Sequence, residues 1–241
     1  MDTEKLADRL VVWIEEKVKS ADLKGAVFGM SGGMDSSVVA VLCRHACGDN
    51  TLGLLMPCHS NPQDEQHAIA VAAKFSIPTK KVALDTIYDT LLESFNSKGE
   101  SDSEQLARAN LKARLRMLTL YFHANQFRYL VVGSGNRSEL AVGYFTKYGD
   151  GGVDILPLGN LVKGQVKELA ASLGIPQEII DKPPSAGLWH GQTDEGELGC
   201  SYDELDRLLA GDEVIGSVRM KIEQMMTRNR HKLSLPPIPD F

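Results

Sequence analysis

Gly25-Ala26-Val27-Phe28-Gly29-Met30-Ser31-Gly32-Gly33-Met34-Asp35-Ser36-Ser37-Val38-Val39-Ala40-Val41-Leu42-Cys43 is the stretch on which the fold turns. Residues 25–30 form a short apolar run suited to a strand, residues 31–37 are small and polar, and residues 38–43 return to an apolar, helix-like run. A strand that breaks into such a turn and opens a helix points free backbone N–H groups, and the positive end of the helix dipole, at an anion. Gly32 and Gly33 remove the Cβ atoms that would keep a phosphate from the backbone. Ser31, Ser36 and Ser37 add hydroxyl donors. Asp35 is the odd member. A carboxylate facing a polyphosphate is repelled unless a divalent cation lies between them, so Asp35 reads as a magnesium ligand. The alternative is a helix N-cap with no ligand.

Outward from this loop, strand and helix signals alternate. Leu6, Leu10, Ile14 and Val18 recur at intervals of four and predict an amphipathic helix over 3–19. Further strands are expected at 51–56, 80–84 and 129–133. Asn61-Pro62 predicts an N-cap and first-turn proline for a helix reaching Lys74. Asp85 is expected to cap a short helix, residues 95–103 to form a mobile loop, and residues 103–125 a long helix. Helices are also expected at 163–173, 176–182, 202–210 and 212–229, with long irregular stretches at 143–160 and 183–200. Short strands alternating with helices predict an α/β fold, a doubly wound parallel sheet with flanking helices on both faces. Such a sheet binds ligands beyond the carboxyl ends of its strands, where residues 31–37 fall. No repeat or linker interrupts the pattern, so residues 1–241 are expected to form a single domain.

Composition removes several classes of function. The 241 residues carry 43% hydrophobic and 24% charged residues, ordinary for a globular protein, and a net charge of −6. That balance argues against a nucleic-acid surface, which needs clustered positive charge. No apolar run approaches the roughly 20 residues of a membrane span, and the acidic start lacks a signal-peptide core. A cytoplasmic protein is expected. Four cysteines in a chain this long read as reduced thiols rather than a disulfide framework; Cys58 beside His59 leaves a metal site conceivable.

Three further stretches concentrate chemistry. Gly133-Ser134-Gly135-Asn136-Arg137-Ser138-Glu139 repeats the first loop's logic of strand end, small residues and one acid. Glu139 could join Asp35 on one cation, or be a plain first-turn helix acid favoured by the dipole. Gly143-Tyr144-Phe145-Thr146-Lys147-Tyr148-Gly149-Asp150-Gly151-Gly152-Val153-Asp154 interleaves aromatics, a lysine and two acids with four glycines. Its rings could flank a planar group and its acids bind ribose hydroxyls or orient an amine. Residues 183–199, beginning Pro183-Pro184-Ser185, are too long for a simple connection and suggest a lid.

The lysine of the common G-x-x-x-x-G-K-[ST] phosphate loop is missing. Residues 31–37 instead resemble the pyrophosphate loop of the ATP pyrophosphatases. With 133–139, 143–154, 183–199, the segment 110–117 and His231-Lys232 following in order, nearly the whole chain resembles the ammonia-dependent NAD synthetases. The run 145–151 is the most specific part, since it separates this family from other pyrophosphate-loop enzymes such as tRNA thiolases and GMP-synthetase-like amidases. The resemblance implies ATP-dependent amidation of deamido-NAD with ammonia to NAD, AMP and pyrophosphate through an adenylated nicotinate carboxylate. It implies ATP contacts at Gly29, Met30, Ser31, Gly32, Gly33, Met34, Asp35, Ser36, Ser37, Ser134, Lys163 and Ser185, the family often having threonine in place of Ser134 and Ser185. It implies Mg²⁺ on Asp35 and Glu139, and deamido-NAD contacts at Arg114, Lys147, Asp154, His231 and Lys232. It further implies a homodimer, and free ammonia as nitrogen donor because no amidase domain accompanies the chain. Asp150 is the candidate catalytic base that takes a proton from ammonium. A non-catalytic adenine-nucleotide module would share the strand–loop–helix start but would need neither two converging acids nor lids.

Overall fold

The computed structural model describes residues 2–99, 101–189 and 191–239. Strands β1 (Gly25–Gly29), β2 (Thr51–Leu55), β3 (Thr79–Lys81) and β4 (Tyr129–Val131) pair in parallel in the order β3-β2-β1-β4. Ala26 faces Thr51 on one side and Leu130 on the other. The order reverses at β1: β2 and β3 build outward on one side and β4 returns on the other. The loops after β1 and β4 therefore lie side by side at the carboxyl edge, the switch point where such sheets bind ligands.

Strand alternation divides the core. Ala26 and Phe28 point into a cluster with Ile14 and Val18 of α1 (Thr3–Ser20), Val38 and Leu42 of α2 (Met34–Cys47), Val71 of α3 (Pro62–Lys74) and Leu169 of α7 (Lys163–Ser172). Val27 points the opposite way, to Tyr88 and Leu92 of α4 (Asp85–Ser94) and Leu115 and Leu120 of α5 (Asp102–Phe127). Burying one such side chain is worth about 1.5–3 kcal/mol, so slipping β1 by one residue would exchange both faces at once. A third cluster joins Val142 of α6 (Arg137–Val142), Leu198 of α9 (Asp194–Leu198), Tyr202 and Leu205 of α10 (Tyr202–Ala210) and Ile222 of α11 (Gly216–Asn229). The short α8 (Gln177–Ile180) follows α7. The four cysteines are free thiols.

Several expected boundaries move. β3 is confined to 79–81 because the chain then leaves the regular ladder, although the Val82 and Leu84 amides still donate to the Leu55 and Pro57 carbonyls at 2.8 Å each. Leu84, not Asp85, is the N-cap of α4, and Asp85 instead accepts from the His59 amide at 2.7 Å. α5 starts at Asp102, capped by the Ser101 hydroxyl, which shortens the expected 95–103 loop; Glu100 lies outside the described residues. β4 stops at Val131, and Val132 makes a single parallel bridge with Ile155. The 183–200 stretch is not wholly irregular, because α9 occupies part of it; His190 lies outside the described residues.

Candidate active site

The loop between β1 and α2 needs glycine at position 32. Gly32 has φ +76°, and a Cβ there would stand 2.0 Å from the Asp64 carbonyl oxygen of α3. Gly33 is the N-cap of α2 and no side chain caps the first turn, which leaves its amides for an anion. The serines behave differently from expectation. Ser36 and Ser37, 5% and 2% exposed, both donate to the Gly33 carbonyl, at 3.0 and 2.8 Å. The Ser31 hydroxyl lies 2.9 Å from that of Ser36. These hydroxyls brace the loop from inside, where they also accept from the Ser31 and Gly33 amides at 3.3 Å each, and the first-turn amides of α2 are left without a side-chain cap. Gly29 ends β1, Met30 is buried beneath the loop with its amide on the Leu54 carbonyl at 2.9 Å, and Met34 opens α2.

The loop after β4 brings its acid to the same place. Asn136 caps α6 and forms a capping box with Glu139: the Glu139 amide donates to Asn136 Oδ1 at 3.0 Å and Glu139 Oε2 accepts from the Asn136 amide at 3.2 Å. The reading of Glu139 as a first-turn helix acid holds, and its second oxygen is left to face the Lys163 ammonium that Asp35 also meets. Lys163 at the start of α7 places Nζ 2.5 Å from Asp35 Oδ2 and 3.4 Å from Glu139 Oε1. Asn136 Nδ2 donates to Asp35 Oδ1 at 3.3 Å. Burial pushes the Glu139 carboxyl up to about 7, against the opposing pull of Lys163. Desolvation disfavours the Lys163 charge, but Asp35 and Glu139 outweigh it and raise its pKa.

Two converging carboxylates from different loops make a hard oxygen donor set that fits Mg²⁺. Among the described residues no group of three His, Cys, Asp or Glu side chains converges on one point. A magnesium ion on Asp35 and Glu139 would therefore complete its shell from phosphate oxygens and water.

The substrate-contact candidates form a second group. Lys147 Nζ donates to the His231 carbonyl at 2.7 Å and Lys232 Nζ to the Gly143 and Phe145 carbonyls at 2.8 and 3.0 Å. Arg114 Nη2 reaches the Lys147 carbonyl at 3.4 Å. Arg114, Lys147, His231 and Lys232 thus meet, stitching the C-terminal turn to the 143–150 segment. Asp154 stands apart: it accepts from the Tyr121 hydroxyl at 2.9 Å and the Val131 amide at 2.8 Å. Asp150 is exposed as a residue, but its carboxyl end turns back onto the 146–150 turn, where it accepts from the Thr146 amide at 2.9 Å in a part-buried bond. The protein crowded around it raises its carboxyl above the ordinary range, against that hydrogen bond. Ser134 lies three residues beyond the end of β4, in the turn that leads to α6. Ser185 is exposed, and its hydroxyl donates to the Gln192 carbonyl at 2.8 Å within the 183–199 segment.

Sequence reasoning missed Asp194, Tyr202 and Arg116. The Tyr202 hydroxyl donates toward Asp194 Oδ2 at 3.0 Å and Glu139 Oε1 at 3.3 Å, and Arg116 Nε donates to the Met56 carbonyl at 3.3 Å. None has a local signal, since Tyr202 lies 63 positions from the acid it meets. The part Asn136 plays could have been found, because its spacing to Glu139 is that of a capping box.

A family model for NAD synthase matches residues 6–236. The NH(3)-dependent NAD(+) synthetase of Carboxydothermus hydrogenoformans is 46% identical over 98% of this chain and 97% of its own. That of Finegoldia magna is 49% identical over 96% and 94%. Among solved structures, the NMN synthetase of Francisella tularensis superposes with a TM-score of 0.95 at 38% identity, covering 100% of both chains. With this match spanning the sheet, both loops and the segments that cover them, the chain belongs to the NAD synthase family.

Proposed function

We propose that this enzyme amidates deamido-NAD with ammonia, cleaving ATP to AMP and pyrophosphate. The observation that carries the reading is the meeting of Asp35 and Glu139, from the first turns of two separate helices, on the buried Lys163 ammonium beside the start of α2, which no side chain caps. The family match supports it over its whole length. Incubation with ATP, Mg²⁺, deamido-NAD and ammonium should yield NAD and pyrophosphate in equal amounts. Nucleotide binding without turnover would instead support a binding module.

In this reading the nicotinate carboxylate attacks the α-phosphate of ATP, and pyrophosphate leaves toward the α2 amides and Lys163, which stabilise the charge it gains. Asp35 and Glu139 hold Mg²⁺, which when bound screens the phosphates from the incoming carboxylate. Gly29 to Ser37, with Ser134 and Ser185, surround the nucleotide. Arg114, Lys147, Asp154, His231 and Lys232 hold deamido-NAD. Asp150 removes a proton from ammonium, and the resulting ammonia attacks the adenylated carbon and expels AMP. Segments 143–154 and 183–199 keep water from the adenylate.

The enzyme works as a homodimer in this reading. Leu118 and Phe122 of α5 are 64% and 66% exposed one turn apart, with Leu106 and Phe127 exposed on the same helix. Leu118 and Phe122 share one face of the helix, and adjacent exposed apolar side chains of this size suit an interface. Among the described residues no helix is long and apolar enough to cross a membrane.

A second reading differs only in substrate. The similarity to the Francisella protein, whose name gives NMN as product, favours amidation of the mononucleotide. Comparing kcat/KM for deamido-NAD and for nicotinate mononucleotide separates the two.

A further inference from the structure

Tyr202 is 5% exposed, opens α10 and touches the active-site cluster from beneath. Lys163 Nζ stands 4.9 Å above its ring, a favourable cation–π placement. Its hydroxyl has one proton and two carboxylate oxygens in reach, Asp194 Oδ2 at 3.0 Å and Glu139 Oε1 at 3.3 Å. It can donate to only one of them at a time.

The two acceptors belong to different parts of the machine. Glu139 is a proposed magnesium ligand. Asp194, 5% exposed, is the first residue of α9 in the covering segment. The rest of that segment hangs from the same point. The Asp194 amide donates to the Pro184 carbonyl at 3.0 Å. Gln192 accepts from the Leu188 amide at 2.7 Å and donates to Glu197 at 3.3 Å. The Tyr144 hydroxyl lies 3.1 Å from Asp194 Oδ1 and 2.6 Å from Glu197 Oε2, and donates to one of them at a time. The Tyr202 amide itself donates to Glu195 at 2.9 Å.

We propose that Tyr202 is a positioning residue that couples cation binding at Glu139 to closure of the 183–199 segment through Asp194. This rests on the reading of Glu139 as a magnesium ligand. An oxygen engaged by a cation accepts a phenol proton poorly, so loading Glu139 commits the Tyr202 hydroxyl to Asp194. A charge-assisted bond of that kind is stronger than a neutral one, and α9 is held down once the nucleotide's cation is in place. The Tyr144 hydroxyl reaches Asp194 and Glu197 but not the Glu139 carboxylate, although the Tyr144 amide donates to the Glu139 main-chain carbonyl at 2.9 Å, so the phenol firms the segment without sensing the cation.

Hydrogen–deuterium exchange on the full-length protein tests this. Wild-type protein with Mg²⁺ and a non-hydrolysable α,β-methylene ATP analogue should exchange more slowly across 183–199 than with the analogue alone. In Tyr202→Phe that magnesium-dependent increment should fall by roughly tenfold, the size of one hydrogen bond to a charged group, while analogue binding persists. Asp194→Asn should lose the increment likewise, and serves if the tyrosine variant folds poorly. Tyr144→Phe should loosen the segment equally with and without Mg²⁺ and keep the increment. In turnover, Tyr202→Phe should release more pyrophosphate than NAD, because water reaches the adenylate. An undiminished increment in Tyr202→Phe overturns the coupling, as does a wild-type protein that makes NAD yet shows no increment. Failure to form any amide product from either nucleotide would count against the proposed function instead.

Discussion

At the residue scale, Asp150 carries the sharpest division of labour. Its raised carboxyl suits a base that takes a proton from ammonium and is not needed when ATP is attacked. Asp150→Asn should slow amidation about 100-fold or more, the usual span of general-base catalysis, with pyrophosphate release in a single turnover little changed. The acid limb of the wild-type rate profile should lie above the ordinary carboxylate value, because the proton must be off, and should vanish in the variant. Equal loss of both half-reactions would remove the assignment. Asp35→Asn should act earlier, abolishing magnesium-dependent pyrophosphate release, and would leave Lys163 facing Glu139 alone. That Asp35 and Glu139 come together was legible, because both stretches repeat the pattern of strand end, small residues and one acid. The support under Glu139 was not, because Tyr202, Asp194 and Lys163 are assembled by folding from distant turns.

At the scale of elements, the signals that sequence carries best are those written within one turn. Asn61 caps α3, accepting from the Gln63 amide at 3.0 Å, and Pro62 takes the first position, as the dipeptide predicts. Asn61→Ala should cost about 1 kcal/mol in urea unfolding. Gly32→Ala should do more harm to function than to the fold. The added Cβ meets the Asp64 backbone, so relief requires the loop and α3 to part, and Kd for ATP should rise in direct titration. Where an element ends was less legible. β3 and β4 are edge strands whose last residues pair with carbonyls outside the regular ladder or with a bridge from residue 155, contacts that only the folded chain supplies. The intraloop bonds of Ser31, Ser36 and Ser37 were not legible for a related reason: a hydroxyl in a tight loop finds its own backbone and neighbours only once the loop has closed.

At the scale of the whole molecule, the doubly wound order and the two-faced core followed from the alternation of short strands and helices. The exposed face of α5 did not, since its apolar residues read equally well as core until the structure left them outside. If that face joins two subunits, Phe122→Glu should shift the protein from dimer to monomer in sedimentation and lower activity in parallel. A dimeric variant with full activity would place the interface elsewhere. The same helix that carries Leu118 and Phe122 also carries Lys112, whose Nζ donates to the Leu188 carbonyl at 2.9 Å. A helix of 26 residues is a rod about 39 Å long, held by the covering segment near its middle and, if the exposed face pairs two subunits, by a neighbouring copy along its side. Reciprocity then applies. If pairing of subunits steadies the cover, substrate that closes the cover must strengthen the pairing by the same factor, and the dimer's dissociation constant becomes a gauge of how full its active sites are.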